Sequence, residues 1–133
     1  MRGSCLCGQV EYEVTQLDSP IRHCSCRTCR KAHAAAFNTS AGVQREHFKW
    51  RKGTEVLKSF ESSPGKRRYF CGNCGSQLVA QRNGSEMFIL RVATLDDDPG
   101  QRPEAQIWAS DEVPWLGHGP QIPSYPEWTP QHK

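Results

Sequence analysis

The sequence predicts a mostly β fold: one small domain of short strands, stapled by metal through cysteine knuckles. Three observations carry this reading. Apolar residues recur with period two in short runs, of which Val10, Tyr12 and Val14 form the plainest, and that spacing puts them on one face of a strand. Nine prolines and eleven glycines among 133 residues imply many turns. Seven cysteines fall into three tight groups: Cys5 and Cys7, then Cys24, Cys26 and Cys29, then Cys71 and Cys74. Thiolates one or two residues apart can reach one metal ion, whereas a disulfide between them is strained.

The elements follow in order. Residues 8–14 form the first expected strand, just after the first cysteine pair. Asp18-Ser19-Pro20 reads as a turn, and Ile21-Arg22-His23 leads into the three-cysteine knuckle. Residues 30–37 are the best helical candidate, barely two turns long, so a short helix or irregular segment is expected. Phe48-Lys49-Trp50 and residues 56–60 predict short strands on either side of a Lys52-Gly53 turn. Turn residues make 62–66 a loop, with Lys66-Arg67-Arg68 expected as its solvated end.

Arg67-Arg68-Tyr69-Phe70 runs into the last cysteine pair and Gln77-Leu78-Val79-Ala80 runs out of it, as in a zinc-ribbon hairpin. Asn83-Gly84 is a strong hairpin signal. Residues 87–95 are the most apolar run and predict a central, well-buried strand, ended by the turn Asp96-Asp97-Asp98-Pro99-Gly100. A last short strand is expected around Trp108, at residues 105–109. Beyond Asp111 the chain is rich in Pro, Gly and Trp and is expected to lie over the surface, with Trp108 and Trp115 read as packing residues. There is no internal repeat or linker, so residues 1–133 read as a single domain.

Composition bounds the function classes. No apolar run approaches the roughly 20 residues a membrane helix needs, and the first residues hold no apolar stretch that could serve as a signal peptide. The expectation is a cytoplasmic protein with no membrane partner, where clustered thiols stay reduced and mean metal. The formal charge is +3. Seven thiolates on two zinc(II) ions would cancel it, so global charge makes no case for a nucleic-acid partner.

The cysteine arithmetic is more specific. A closed tetrahedral zinc site takes four ligands, so two groups complete one site and the third is left short. Cys5 and Cys7 beside the N-terminus need distant partners, and Cys71 and Cys74 supply them in a Cys-Gly-Asn-Cys-Gly turn. Structural zinc of that kind contributes roughly 10–16 kcal/mol in apparent terms, comparable with the whole stability of a domain. Cys24, Cys26 and Cys29 offer three sulfurs and leave a fourth position for water, a side chain or an external thiolate. His23 and His33 are near enough in sequence to fill it, although a lone histidine is more often a hydrogen-bonded structural residue. Arg22, Arg27, Arg30 and Lys31 surround the trio without a nearby carboxylate. Their plain role is to offset the −1 charge of a zinc trithiolate. A sharper one has Arg30 and Lys31 receive the carboxylates of an acidic thiol such as glutathione.

Ser4-Cys5-Leu6-Cys7-Gly8, Cys24-Ser25-Cys26-Arg27-Thr28-Cys29-Arg30-Lys31 and Phe70-Cys71-Gly72-Asn73-Cys74-Gly75-Ser76 together resemble the signature of the glutathione-dependent formaldehyde-activating enzyme family. That family includes the domain of centromere protein V. Ala34-Ala35-Ala36-Phe37, Thr94-Leu95-Asp96 and Ile107-Trp108-Ala109-Ser110 extend the resemblance over residues 3–128. It implies a mostly antiparallel β fold of the β-tent type with two zinc ions. By resemblance Cys5, Cys7, Cys71 and Cys74 hold a structural zinc, and Cys24, Cys26 and Cys29 hold a second zinc associated with activity and glutathione. The implied reaction joins glutathione to formaldehyde as S-hydroxymethylglutathione, the work of a carbon–sulfur lyase. The competing reading is a non-catalytic zinc module that carries glutathione or binds nucleic acid or protein, motivated by the basic run at 66–68 and by the centromere relative.

Overall fold

The computed structural model describes residues 1–116 and 122–131. Parts of the Pro- and Gly-rich tail, at 117–121 and 132–133, lie outside the described residues. The elements run β1 (Arg2–Ser4), β2 (Glu11–Val14), β3 (Arg22–Cys24), α1 (Arg27–His33), β4 (Asn38–Gln44) and β5 (Phe48–Lys52). They continue as β6 (Leu57–Ser63), β7 (Lys66–Cys71), β8 (Gln77–Arg82), β9 (Met87–Arg91) and β10 (Ala105–Ile107). No helix among the described residues is long and apolar enough to cross a membrane.

Two sheets result, one in the order β1-β2-β5 and the other in the order β10-β3-β4-β9-β8-β7-β6. Every strand pair is antiparallel except β10 with β3. That exception follows from connectivity. β9 is succeeded by a 3-10 turn at Val92–Thr94 and a long crossing, which brings the chain back alongside β3, and parallel neighbours need such a crossover.

The alternation in β2 does what period two demands. Tyr12 and Val14 are fully buried, while Glu11 and Glu13 face out and pair with Lys52 and Arg51 of β5. The core joins Val10, Tyr12, Val14 and Phe48 to Val43, Leu78, Val79 and Leu90 of the larger sheet. Each such side chain contributes about 1.5–3 kcal/mol by leaving water. Tyr12 stacks on Phe48 at 5.3 Å between ring centres and hydrogen-bonds Thr94 Oγ1 at 2.7 Å. Gly3 lies opposite Tyr12, and a Cβ there would overlap the phenol ring. Cys5 and Cys71 belong to the same core, so one cysteine group is welded to the sheet packing.

The structure departs from the sequence expectations in five places. The apolar run at 87–95 is central in the sheet, but its strand ends at Arg91, and its first three residues are only half-buried. β1, β3 and β4 were not legible as strands. β4 reads Asn-Thr-Ser-Ala-Gly-Val-Gln, too polar and small to show a buried face. The helix begins at Arg27 and stops at Ala34, which takes the left-handed conformation (φ 50). Trp108 and Trp115, expected to pack, are 60% and 71% exposed. Finally, Lys66-Arg67-Arg68 is no solvated loop end: it opens β7, and Arg68 is 3% exposed.

Candidate metal centres

The first cysteine pair occupies the turn from β1 to β2; of the last pair, Cys71 ends β7 and Cys74 lies in the turn to β8. In each, a left-handed glycine follows the second cysteine, Gly8 at φ 80 and Gly75 at φ 82, a conformation that a side chain would strain. The four sulfurs lie within 4.8 Å of one another. Cys5 Sγ stands 3.6 Å from Cys7 Sγ, and Cys7 Sγ stands 3.8 Å from Cys71 Sγ. A tetrahedron with metal–sulfur bonds of about 2.3 Å has edges of about 3.8 Å. The donor set and its spacing therefore fit zinc(II).

Backbone donors complete the knuckles. The Val10 N–H donates to Cys5 Sγ at 3.3 Å, and the N–H groups of Asn73 and Cys74 donate to Cys71 Sγ at 3.4 Å. Ser76 Oγ accepts the Leu6 N–H at 2.9 Å, which leaves its own proton for Cys74 Sγ at 3.3 Å. That hydroxyl brings the Cys74 thiol down to about 5. The Asn73 side chain lowers Cys7, while burial pushes Cys71 up. Hydrogen bonds to sulfur favour the thiolate a metal requires.

The trio is built by a strand end and a helix cap. β3 ends at Cys24, held between β4 and β10. Cys26 is the N-cap of α1, and its sulfur accepts the Cys29 N–H at 3.3 Å. The cap geometry that satisfies the helix start thus also brings two of the sulfurs together. All three sulfurs lie within 4.8 Å of one another. Among the described residues no histidine joins them in that group. The His23 ring hydrogen-bonds Thr39 Oγ1 at 2.7 Å and rests against Phe37. Burial, with Arg91 and Arg68 nearby, brings His33 down to about 4, so its ring is neutral at pH 7.

Two arginines define the trio's surroundings: Arg68, expected at a solvated loop end, and Arg91, assigned no role from the sequence. Arg68 reaches in from β7, its Nε donating to Ser62 Oγ at 2.9 Å and its Nη2 to Cys29 Sγ at 3.9 Å. Arg91, at the end of β9, is 4% exposed. Burial brings its guanidinium down to about 10, with Arg68 adding to the effect and the three cysteines opposing it. Burial also acts to raise Cys29, but hydrogen bonds from Cys26 and Arg68 outweigh it and hold that thiol below its ordinary value. Burial, reinforced by the neighbouring Cys29, outweighs the backbone hydrogen bond from Cys26 and pushes Cys24 up to about 12.

Arg30 and Lys31, the residues expected to anchor carboxylates, line a cavity of about 510 Å³ with Trp115 and the alanines at 34–36. No cysteine lines that cavity. The acidic run keeps its turn role and gains another. The single Ser4 hydroxyl proton is shared between the two Asp96 carboxylate oxygens, at 2.9 and 3.0 Å, and Asp97 accepts the Arg2 N–H at 2.7 Å, so the turn clasps β1.

Comparison with known proteins identifies the fold and the family. A protein of Rhodobacter sphaeroides, solved by crystallography, shares the fold with a TM-score of 0.64 at 28% identity, over 80% of this chain and 98% of that one. An uncharacterized lyase of Schizosaccharomyces pombe is 24% identical over 111 residues, which is 83% of this chain and 79% of the relative. The family described as glutathione-dependent formaldehyde-activating enzyme matches residues 1–111, spanning both cysteine groups and both buried arginines. The chain belongs to the glutathione-dependent formaldehyde-activating enzyme family.

Proposed function

We propose that this chain is a zinc-dependent carbon–sulfur lyase-like enzyme that acts on adducts of glutathione, or another small thiol, with formaldehyde or a related carbonyl. Residues 1–133 act as one domain in this reading. Cys5, Cys7, Cys71 and Cys74 hold a structural zinc, and Cys24, Cys26 and Cys29 hold the reactive one. The observation that carries the proposal is the contrast between the two groups: four sulfurs close one, while three sulfurs, those of Cys24 and Cys29 beside a cavity, leave the other a ligand short.

Zinc bound by the trio would supply Lewis acidity that lowers the proton affinity of an incoming thiol. The chain's own residues do the rest. Arg68 and Arg91 place two positive charges in the same buried region, which favours a thiolate over a neutral thiol. The thiolate sulfur adds to the carbonyl carbon, forming the carbon–sulfur bond. The carbonyl π pair moves to oxygen, which takes a proton from water, and the reverse reaction breaks the same bond. Arg30 and Lys31, on the helix that carries Cys29, hold a carboxylate of the thiol.

Cys26→Ser tests the assignment. The native protein is expected to bind two zinc ions per chain, and the variant one, with its fold retained. Formation of the adduct from carbon-13 formaldehyde and glutathione, followed by NMR against the uncatalysed rate, is expected to fall to background in the variant. Full turnover by Cys26→Ser would overturn the mechanism.

A further inference from the structure

A cavity of about 360 Å³ opens beside Cys24 and Cys29, and Arg22, Arg82, Arg91 and Asn38 line it. No carboxylate lines it. Arg91 and Asn38 are 4% and 5% exposed. Yet Nε and Nη2 of Arg91, and Nδ2 of Asn38, have no hydrogen-bond partner. A buried donor left unmade costs about 1–3 kcal/mol, and more when it is charged. Such a group in a native fold calls for an explanation, and beside a cavity a bound water or anion supplies one.

Geometry and charge name the occupant. Nε and Nη2 form one edge of the guanidinium, the fork whose two parallel N–H bonds match a carboxylate. Three thiolates on one zinc(II) carry −1, while Arg68 and Arg91 bring +2 into the same region, with no buried Asp or Glu among the described residues. Arg68 is already engaged along its own Nε–Nη2 edge, with Ser62 and Cys29, and only its Nη1 lacks a partner. Arg91 therefore keeps both its charge and its fork for something else.

We propose that this cavity is a carboxylate subsite, in which Arg91 grips a substrate carboxylate through Nε and Nη2 and Asn38 donates its amide N–H to the same group. The proposal rests on the trio being the reaction centre. The carboxylate belongs either to the thiol or to the carbonyl compound, which is then a small oxo acid rather than formaldehyde.

The test needs no turnover. Lactate, an unreactive monocarboxylate, is titrated into zinc-loaded protein labelled with nitrogen-15 at arginine. A saturable shift of the Arg91 Nε–H resonance is expected. Binding followed by calorimetry is expected to weaken by at least about tenfold in Asn38→Ala and in Arg91→Met, each checked for unchanged zinc content and circular dichroism. Glutathione and its diethyl ester then separate the sources. If the thiol carries the carboxylate, lactate competes with glutathione and the ester binds about tenfold more weakly. If the carbonyl compound carries it, lactate and glutathione bind together and glyoxylate displaces lactate. No saturable shift, or undiminished lactate binding in both variants, would overturn the subsite. Lactate binding without any adduct formation would instead overturn the lyase reading and leave the subsite standing.

Discussion

Arg68 is the residue on which the trio's chemistry leans most. It is held between Ser62 and Cys29 with almost no access to water. Groups that orient and charge-balance metal ligands typically govern 10–100-fold in affinity. Arg68→Met is expected to weaken metal binding at the trio by about that factor while leaving the four-cysteine group untouched, as read by competition with a chelator. Arg68→Lys is expected to recover only part of the loss, because a point charge cannot serve a hydroxyl and a sulfur in two directions. The residue was hidden in the sequence by its neighbours, since three consecutive cations read as surface. Strand alternation would have turned Arg67 and Arg68 to opposite faces. The register of β7 shifts between Tyr69 and Phe70, however, so Arg68 and Cys71 are both buried three residues apart. A strict period of two does not foresee that.

At the scale of single elements, the ends carry the interest. α1 closes on Ala34 in the left-handed region, where an L side chain costs roughly 1–2 kcal/mol and glycine almost nothing. Ala34→Gly is therefore expected to raise stability by about 1 kcal/mol, measured as the midpoint of urea unfolding. The loop between β2 and β3 is tied down by Asp18. Its carboxylate accepts the Gln44 N–H at 2.7 Å, the Gln16 amide at 2.7 Å and His47 Nδ1 at 2.9 Å. Burial alone would raise this carboxyl, but the bonds from His47, Gln44 and Gln16 outweigh it and hold it below the ordinary 3.8. A depressed carboxyl contributes stability that is full above its unfolded value and is lost as pH falls through its folded one. The stability advantage over Asp18→Asn is thus expected to be constant near neutrality and to shrink only below the ordinary value, seen in urea midpoints taken down the acid range. The Asp18-Ser19-Pro20 turn was legible from its residue types; its partner strand β4 was not, because a run of small polar residues becomes a strand only when β3 and β9 flank it.

Across the whole molecule, the four-cysteine group joins the turn after β1 to the turn after β7, and two of its members lie within the core. The two cysteine groups are accordingly expected to differ in kind. Cys71→Ser, or exhaustive chelation, is expected to abolish cooperative unfolding, whereas Cys26→Ser keeps it, as followed by circular dichroism during heating. The predominance of strands and the grouping of the cysteines were determined by the sequence alone, because alternation, turn residues and ligand spacing are local and need no distant partner. The meeting of Cys5 and Cys7 with Cys71 and Cys74 was legible too, since a metal's demand for four ligands reaches across the chain. Only the tertiary structure decided what surrounds the trio. Arg68, Arg91 and Asn38 come from three strands far apart in sequence, and nothing local marks a charge for burial. A buried charge is tolerated only where the finished fold sets opposite charge or open donors' partners beside it, and that is a property of packing.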